Sequence, residues 1–149
     1  MNNVLDQVMI KPIKKILVPM DGSKNSFKIL NEAIYLARQC GATITGLCVI
    51  PIYTINLGRL LTSLKNQSIK EAKKFMSKAK TISAQNGIVF NGKIIYGNEV
   101  WEITEFASYK KFDLIVIGSR GFGPIKEMFL GSVANAVVHK SKIPILVVK

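Results

Sequence analysis

Short apolar runs alternate with longer amphipathic stretches along this chain, the pattern of a parallel sheet wound with helices. Lys15 to Met20, rich in Ile, Leu and Val, predicts a first strand that runs into the turn Asp21-Gly22-Ser23. Phe27, Leu30, Ala33, Ile34 and Ala37 then recur at helical spacing until Gly41, which suits a helix C-terminus. Ala42 to Ile50 reads as a second strand, stopped by Pro51. From Pro51 to Leu64 the apolar residues Tyr53, Ile55, Leu57, Leu60 and Leu61 follow no firm period. A lysine-rich helix is predicted from Asn66 to Asn86, its inner stripe Ile69, Ala72, Met76, Ala79 and Ser83 widened by Phe75 and Ile82.

Ile88 to Tyr96 predicts a third strand and Gly97-Asn98 a turn. Glu99 to Lys111 predicts a helix with Val100, Ile103, Phe106 and Ala107 inward, and Trp101 beside them as a packing residue. Asp113 to Ile117 (DLIVI) is the clearest buried strand, Ser132 to Lys140 a short helix, and Pro144 to Val148 (PILVV) a last strand. The succession β-α-β-α-β-α-β-α-β predicts one α/β domain over residues 14–149, preceded by an arm over residues 1–13. In such sheets ligands sit beyond the carboxyl ends of the strands where the winding reverses. Pro19-Met20-Asp21, Val49-Ile50 and the segment from Gly118 onward should meet there.

Composition narrows the class. The chain has 149 residues, 48% of them hydrophobic, enough for one core. No run approaches the roughly 18 to 20 apolar residues that span a bilayer, and Met1 to Lys11 lacks the layout of a secretory signal. Cys40 and Cys48 have neither metal-ligand nor disulfide spacing, so the expected setting is the cytoplasm, away from membranes. Lys and Arg number 21 against 9 acidic residues, a net charge of +12. That favours anionic partners. The lysines are dispersed (Lys14-Lys15, Lys65, Lys70, Lys73-Lys74, Lys110-Lys111, Lys140, Lys142), with no compact basic run interleaved with aromatics, which argues against a nucleic-acid groove. A basic protein docking on nucleic acid or acidic partners stands as the second function class.

Chemistry concentrates in Gly118-Ser119-Arg120-Gly121-Phe122-Gly123, directly after a buried strand, and in Gly131-Ser132, which opens the next helix. Glycines let backbone approach a ligand closely. A helix N-terminus offers unpaired N–H groups and a positive dipole end to phosphate. Ser132 either caps that helix or donates to a phosphate oxygen, and Arg120 and Lys126 add positive charge. Two better-known motifs are absent: Gly118 and Gly123 have Walker spacing, but Pro124-Ile125 follows, and no GxGxxG sits after the first strand. The glycines alone are equally compatible with a purely structural tight loop. Asp21 could bond a ligand or cap its own turn. His139 lies near a helix C-terminus without a partner motif, Ser23 and Ser26 lack a G-x-S-x-G elbow, and Glu127 in the glycine loop could at most orient a water. No acid–base pair or metal cluster emerges, which argues against a fast-turnover enzyme.

The spacing Gly-x₂-Gly-x₉-Gly-Ser formed by Gly118, Gly121, Gly131 and Ser132 resembles the nucleotide-binding signature of the ATP-binding branch of universal stress proteins. So do the opening KKILVPMDGS (Lys14 to Ser23) and the close SKIPILVVK (Ser141 to Lys149). The resemblance implies an open five-stranded parallel sheet of order 3-2-1-4-5 with helices on both faces, the adenine-nucleotide alpha-hydrolase-like fold. It implies ATP as ligand, with ADP and AMP as alternatives and magnesium or manganese as an optional companion. It also implies a stress-response role as a nucleotide-dependent regulatory module, and a homodimer paired through the last strand. Residue by residue, Pro19, Met20 and Asp21 match positions that hold adenosine, with Asp21 on the ribose, and Val49 matches the adenine contact. Gly118, Ser119, Arg120 and Gly121 match the loop along ribose and phosphates, and Gly131, Ser132 and Val133 match the helix start that holds the phosphate chain. Ala134 departs from members with a hydroxyl there, and Phe122 and Pro124 make the loop stiffer and more apolar.

Overall fold

The computed structural model describes residues 10–52, 59–120 and 130–149, with the backbone alone at 59–61. Five strands and four helices alternate along it. They are β1 (Lys15–Pro19), α1 (Lys24–Cys40), β2 (Thr43–Pro51), α2 (Arg59–Gln85), β3 (Phe90–Gly97), α3 (Glu99–Tyr109), β4 (Leu114–Gly118), α4 (Ser132–Lys140) and β5 (Ile145–Val148). All neighbouring strands pair in parallel, in the order β3-β2-β1-β4-β5. This is the expected sheet, and its winding reverses between β1 and β4.

The two faces of the sheet bury separate clusters. Ile16 and Val18 of β1, with Ile44 and Cys48 of β2 and Val116 of β4, pack under α1 and α2. Leu17, Leu47, Ile115 and Ile117 point the other way and pack under α3 and α4 with Ile103, Ala107, Ala134 and Val137. Central strands of a parallel sheet are covered on both faces, which is why β1 and β4 read as unbroken apolar runs rather than alternating ones. β5 has β4 on one side and no strand on the other among the described residues, and Leu146 on it is 39% exposed.

Local chemistry sets the element ends. Ser23 caps α1, its Oγ accepting from Ser26 N at 3.1 Å, and Gly41 closes it in the left-handed conformation at φ 62°. Asn98 caps α3, its side chain accepting from Trp101 N. The inner stripe of α2 lies as expected, with Ala72, Met76, Ala79 and Ser83 buried and Ile69, Phe75 and Ile82 packed at its margin.

Two expectations are corrected. The helix expected from Asn66 begins at Arg59. Its first turns hide from periodicity because their apolar residues do not all face the core: Leu64 is 49% exposed. Tyr53, Ile55 and Leu57 fall outside the described residues. Trp101, expected to pack, is 61% exposed. It sits one residue, or roughly 100° of helical turn, beyond the inward Val100.

One carboxylate fastens the start of β1 to the start of β4. Asp113 Oδ2 accepts from both Lys14 N and Lys15 N at 2.9 Å, and Oδ1 lies 2.6 Å from Lys11 Nζ. Burial pushes this carboxyl up, but the Lys11 ammonium and the two backbone N–H donors outweigh it and hold it below the ordinary carboxylate value. Because the folded-state value is depressed, the stabilisation is complete above the unfolded value of about 3.9 and is lost as pH falls through the lower folded one. Asp113→Ala is therefore expected to cost about 2 kcal/mol in urea denaturation at pH 7. The deficit should shrink as the pH falls below about 4; a deficit that persists undiminished there would place the role in packing.

Candidate functional site

The reversal between β1 and β4 opens a cleft at the carboxyl edge of the sheet, because the chain leaves β1 toward α1 on one face and leaves β4 toward α4 on the other. Its volume is about 510 Å³, and its lining is contributed by β1, α1, β2, α3, β4 and α4. Pro19, Met20, Asp21, Val49, Gly118, Arg120, Gly131, Ser132 and Val133, chosen from sequence, all stand on its wall. Ser119 serves it through backbone only: its N–H donates to Val148 O at 2.8 Å and its carbonyl accepts from Gly131 N at 2.7 Å, tying the end of β4 to β5 and to the start of α4. Gly121, with Phe122, Gly123, Pro124, Lys126 and Glu127, lies outside the described residues.

The two ends of the cleft differ. Toward β2 and α3 the wall is apolar, with Leu47, Val49, Pro51 and Ile103, and carries the charged side chain of Glu99. Toward β4 and α4 it carries Gly118, Arg120, Gly131 and Ser132. The start of α4 differs from those of α1 and α3 in having no side-chain cap, since Gly131 is its N-cap residue. Ser132 therefore stands at the first helical position, exposed and one residue too late to cap the helix. The first residues of α4 line the cleft, at the end where a helix concentrates positive partial charge.

Asp21 stands between the two ends. Its Oδ1 accepts from Ser23 N at 2.9 Å, so the turn-capping role is real, while Oδ2 has no hydrogen-bond partner among the described residues. Gly22 takes φ 82° in that turn, with the Phe75 ring of α2 where a Cβ would stand. Gly118 has a packing reason as well as a possible ligand one. A Cβ there would run into Ile29 Cδ1 of α1 and crowd Asn25 Nδ2, whose amide donates to Arg120 O at 3.1 Å. Ala134 faces the apolar cluster beneath the cleft, where a hydroxyl would need a partner.

Sequence reading missed Asn25, Pro51, Glu99, Ile103 and Leu130 as lining residues. Each reaches the cleft through the winding of the chain rather than through any local motif. Glu99 is the one with chemistry. Burial first, and the neighbouring Asp21 carboxylate second, push its carboxyl above the ordinary value. Among the described residues no group of three or more His, Cys, Asp and Glu could hold a metal ion, and no helix is long and apolar enough to cross a membrane.

An open doubly wound α/β domain with a cleft at its switch point belongs to a class that binds small ligands at the sheet edge. Comparison with known proteins names the family. The profile of the Universal stress protein family matches residues 12–149, and the chain belongs to that family. It is 32% identical to the universal stress protein YxiE of Bacillus subtilis, over 91% of this chain and 98% of that one. The solved structure of MJ0577, a universal stress protein of Methanocaldococcus jannaschii, superposes with a TM-score of 0.83 at 31% identity, covering 93% of this chain and 97% of the other. A universal stress protein of Archaeoglobus fulgidus in complex with dAMP superposes with a TM-score of 0.71 at 26% identity, covering 95% of this chain and all of that one.

Cys48, buried on β2 behind the cleft, is pushed up to about 11 by burial, with Asp21 and Glu99 adding to the shift. At pH 8 about one thiol in a thousand is then ionised, and the thiolate is the reactive form. Cys48 should resist iodoacetamide at pH 8 in the folded protein and react on unfolding in urea, read by peptide mass. Rapid modification in the folded state would mean that its burial is not maintained in solution.

Proposed function

We propose that the cleft binds an adenine nucleotide, with ATP as the principal ligand, and that occupancy changes how this protein meets its partners. The observation that carries this reading is the convergence, in one cleft of about 510 Å³, of an apolar slot, the uncommitted Oδ2 of Asp21 and the uncapped N-terminus of α4. The size suits a nucleotide-scale ligand. The dAMP complex of the Archaeoglobus relative, which this fold matches along its whole length, supports an adenine nucleotide as the ligand class.

In this reading the base lies in the slot against Val49, with Pro51 and Ile103 as its neighbours. Asp21 Oδ2 accepts from a ribose hydroxyl, while Pro19 and Met20 support the sugar. Phosphate oxygens take the N–H groups of Ser132 and Val133 and the Ser132 hydroxyl, as at other helix N-termini that hold anions. Gly118, Ser119 and Arg120 lie alongside, with the Arg120 guanidinium as countercharge. A magnesium or manganese ion would ride on the phosphates. In this reading hydrolysis is slow at most, and His139 sits near the far end of α4.

Calorimetry on Asp21→Asn tests the ribose contact. Asparagine retains an Oδ1 to accept from Ser23 N, so the turn survives, but it puts an amide NH₂ where the free carboxylate oxygen stood. A hydrogen bond to a charged acceptor contributes about 1.5 to 3 kcal/mol, so ATP should bind roughly tenfold or more weakly, while a 2′,3′-dideoxy analogue should bind nearly as it does to the parent. Equal loss for both ligands would show that Asp21 shapes the turn only. Absence of ATP binding by the parent protein would refute the functional reading.

A further inference from the structure

An acidic residue at the start of α3 suits the helix dipole, but that role does not require Glu99 to line the cleft. It occupies the first residue of α3, where the cap is supplied by Asn98, not by Glu99. Its carboxylate lines the cleft yet has no hydrogen-bond or ion-pair partner among the described residues. Leu47, Val49, Pro51 and Ile103 around it are apolar, so it is the charged group of the slot. Asp21 is close enough to interact with it electrostatically, and both act on the Cys48 thiol behind them. A carboxylate in such a setting retains acceptor capacity that no protein donor among the described residues uses.

Resting on the nucleotide reading above, we propose that Glu99 selects the base. Its carboxylate accepts a hydrogen bond from an exocyclic amino group on the edge of the base, and it disfavours a base that presents a carbonyl oxygen there. Asp21 and Glu99 line the same cleft, so a ligand whose ribose meets Asp21 can present its base to Glu99. An amino group satisfies the acceptor, whereas a carbonyl would set a second acceptor oxygen against the carboxylate. A site whose polar group is left unpaired by the wrong ligand discriminates more strongly than a merely apolar slot.

The test compares ATP with inosine triphosphate, which has the same charge and nearly the same shape but carries a 6-carbonyl in place of the 6-amino group and a proton on N1. A carboxylate aimed at position 6 gains from the amino group and not from the N1 proton. Calorimetry at fixed salt and pH 7.5 is run on the parent chain, Glu99→Gln and Glu99→Ala. The parent should prefer ATP by about tenfold or more. Glu99→Gln can donate its amide to the carbonyl, so inosine triphosphate should bind more tightly than to the parent and the preference should fall below about threefold. Glu99→Ala should lower the preference by weakening ATP relative to the inosine nucleotide, without creating that new donor. Removing a negative charge near an anionic ligand strengthens both nucleotides alike, and their ratio cancels this effect. All three proteins are checked by thermal unfolding, and the exposed first position of a helix tolerates either substitution. A preference that is the same in all three proteins, with ATP binding intact, overturns base selection by Glu99 and leaves the nucleotide reading standing. If the parent binds neither nucleotide, the nucleotide reading fails and takes this proposal with it.

Discussion

A sheet whose strands all run parallel brings every strand to an end at the same edge, and the connections must then cross to the amino edge on one face or the other. In this chain the crossing direction changes between β1 and β4. α1 goes to the face that buries Ile16, Val18 and Val116, and α4 goes to the face that buries Leu17, Ile115 and Ile117. Between the two departing backbones no side chain can fill the gap from both sides, so a crevice follows from the topology itself. The core fixes this crevice firmly, because β1 and β4 are buried on both faces and their pairing cannot slip without turning apolar residues outward.

The chemistry of the crevice comes from what the surrounding elements leave unsatisfied. α1 and α3 spend a side chain on their own N-terminal N–H groups, and α4 does not. Asp21 spends one carboxylate oxygen on its turn and holds the other uncommitted. Glu99 spends neither. The result is a cleft that is electropositive at the α4 end and acidic toward α3, with an apolar floor between them. A ligand with a phosphate at one end, hydroxyls in the middle and a flat base with a donor on its edge matches that order of groups. The same order explains why the chain's net charge of +12 is a poor guide to its ligand, since the lysines lie dispersed over the sequence while the cleft itself carries two carboxylates.

The fold was legible in the sequence because its signals are local. The runs at Lys15, Asp113 and Pro144, the turn at Asp21-Gly22-Ser23 and the glycine at position 41 each report a strand, a turn or a helix end without reference to the rest of the chain. The α4 end of the cleft was legible for a similar reason, as Gly118 to Arg120 and Gly131 to Val133 are contiguous stretches that adjoin one strand and one helix. The α3 end was not, apart from Val49. Glu99 entered the sequence reading only as the first residue of a predicted helix, and its approach to Asp21 exists only once β3 has been placed outside β2. Gly118 shows the converse difficulty, since the residue that reads as a phosphate-loop glycine is also required by the close packing of Ile29. The beginning of α2 escaped because its first turns expose apolar side chains such as Leu64, which erases the periodicity that marks the rest of the helix.

The most direct measurement is a crystal structure of the protein grown with ATP and magnesium. The account predicts density for one nucleotide in the cleft, with its base beside Val49 and Ile103, a ribose hydroxyl on Asp21 Oδ2, and its phosphates at the first N–H groups of α4. A nucleotide bound elsewhere on the molecule, or reversed so that its phosphates lie toward Glu99, would contradict it.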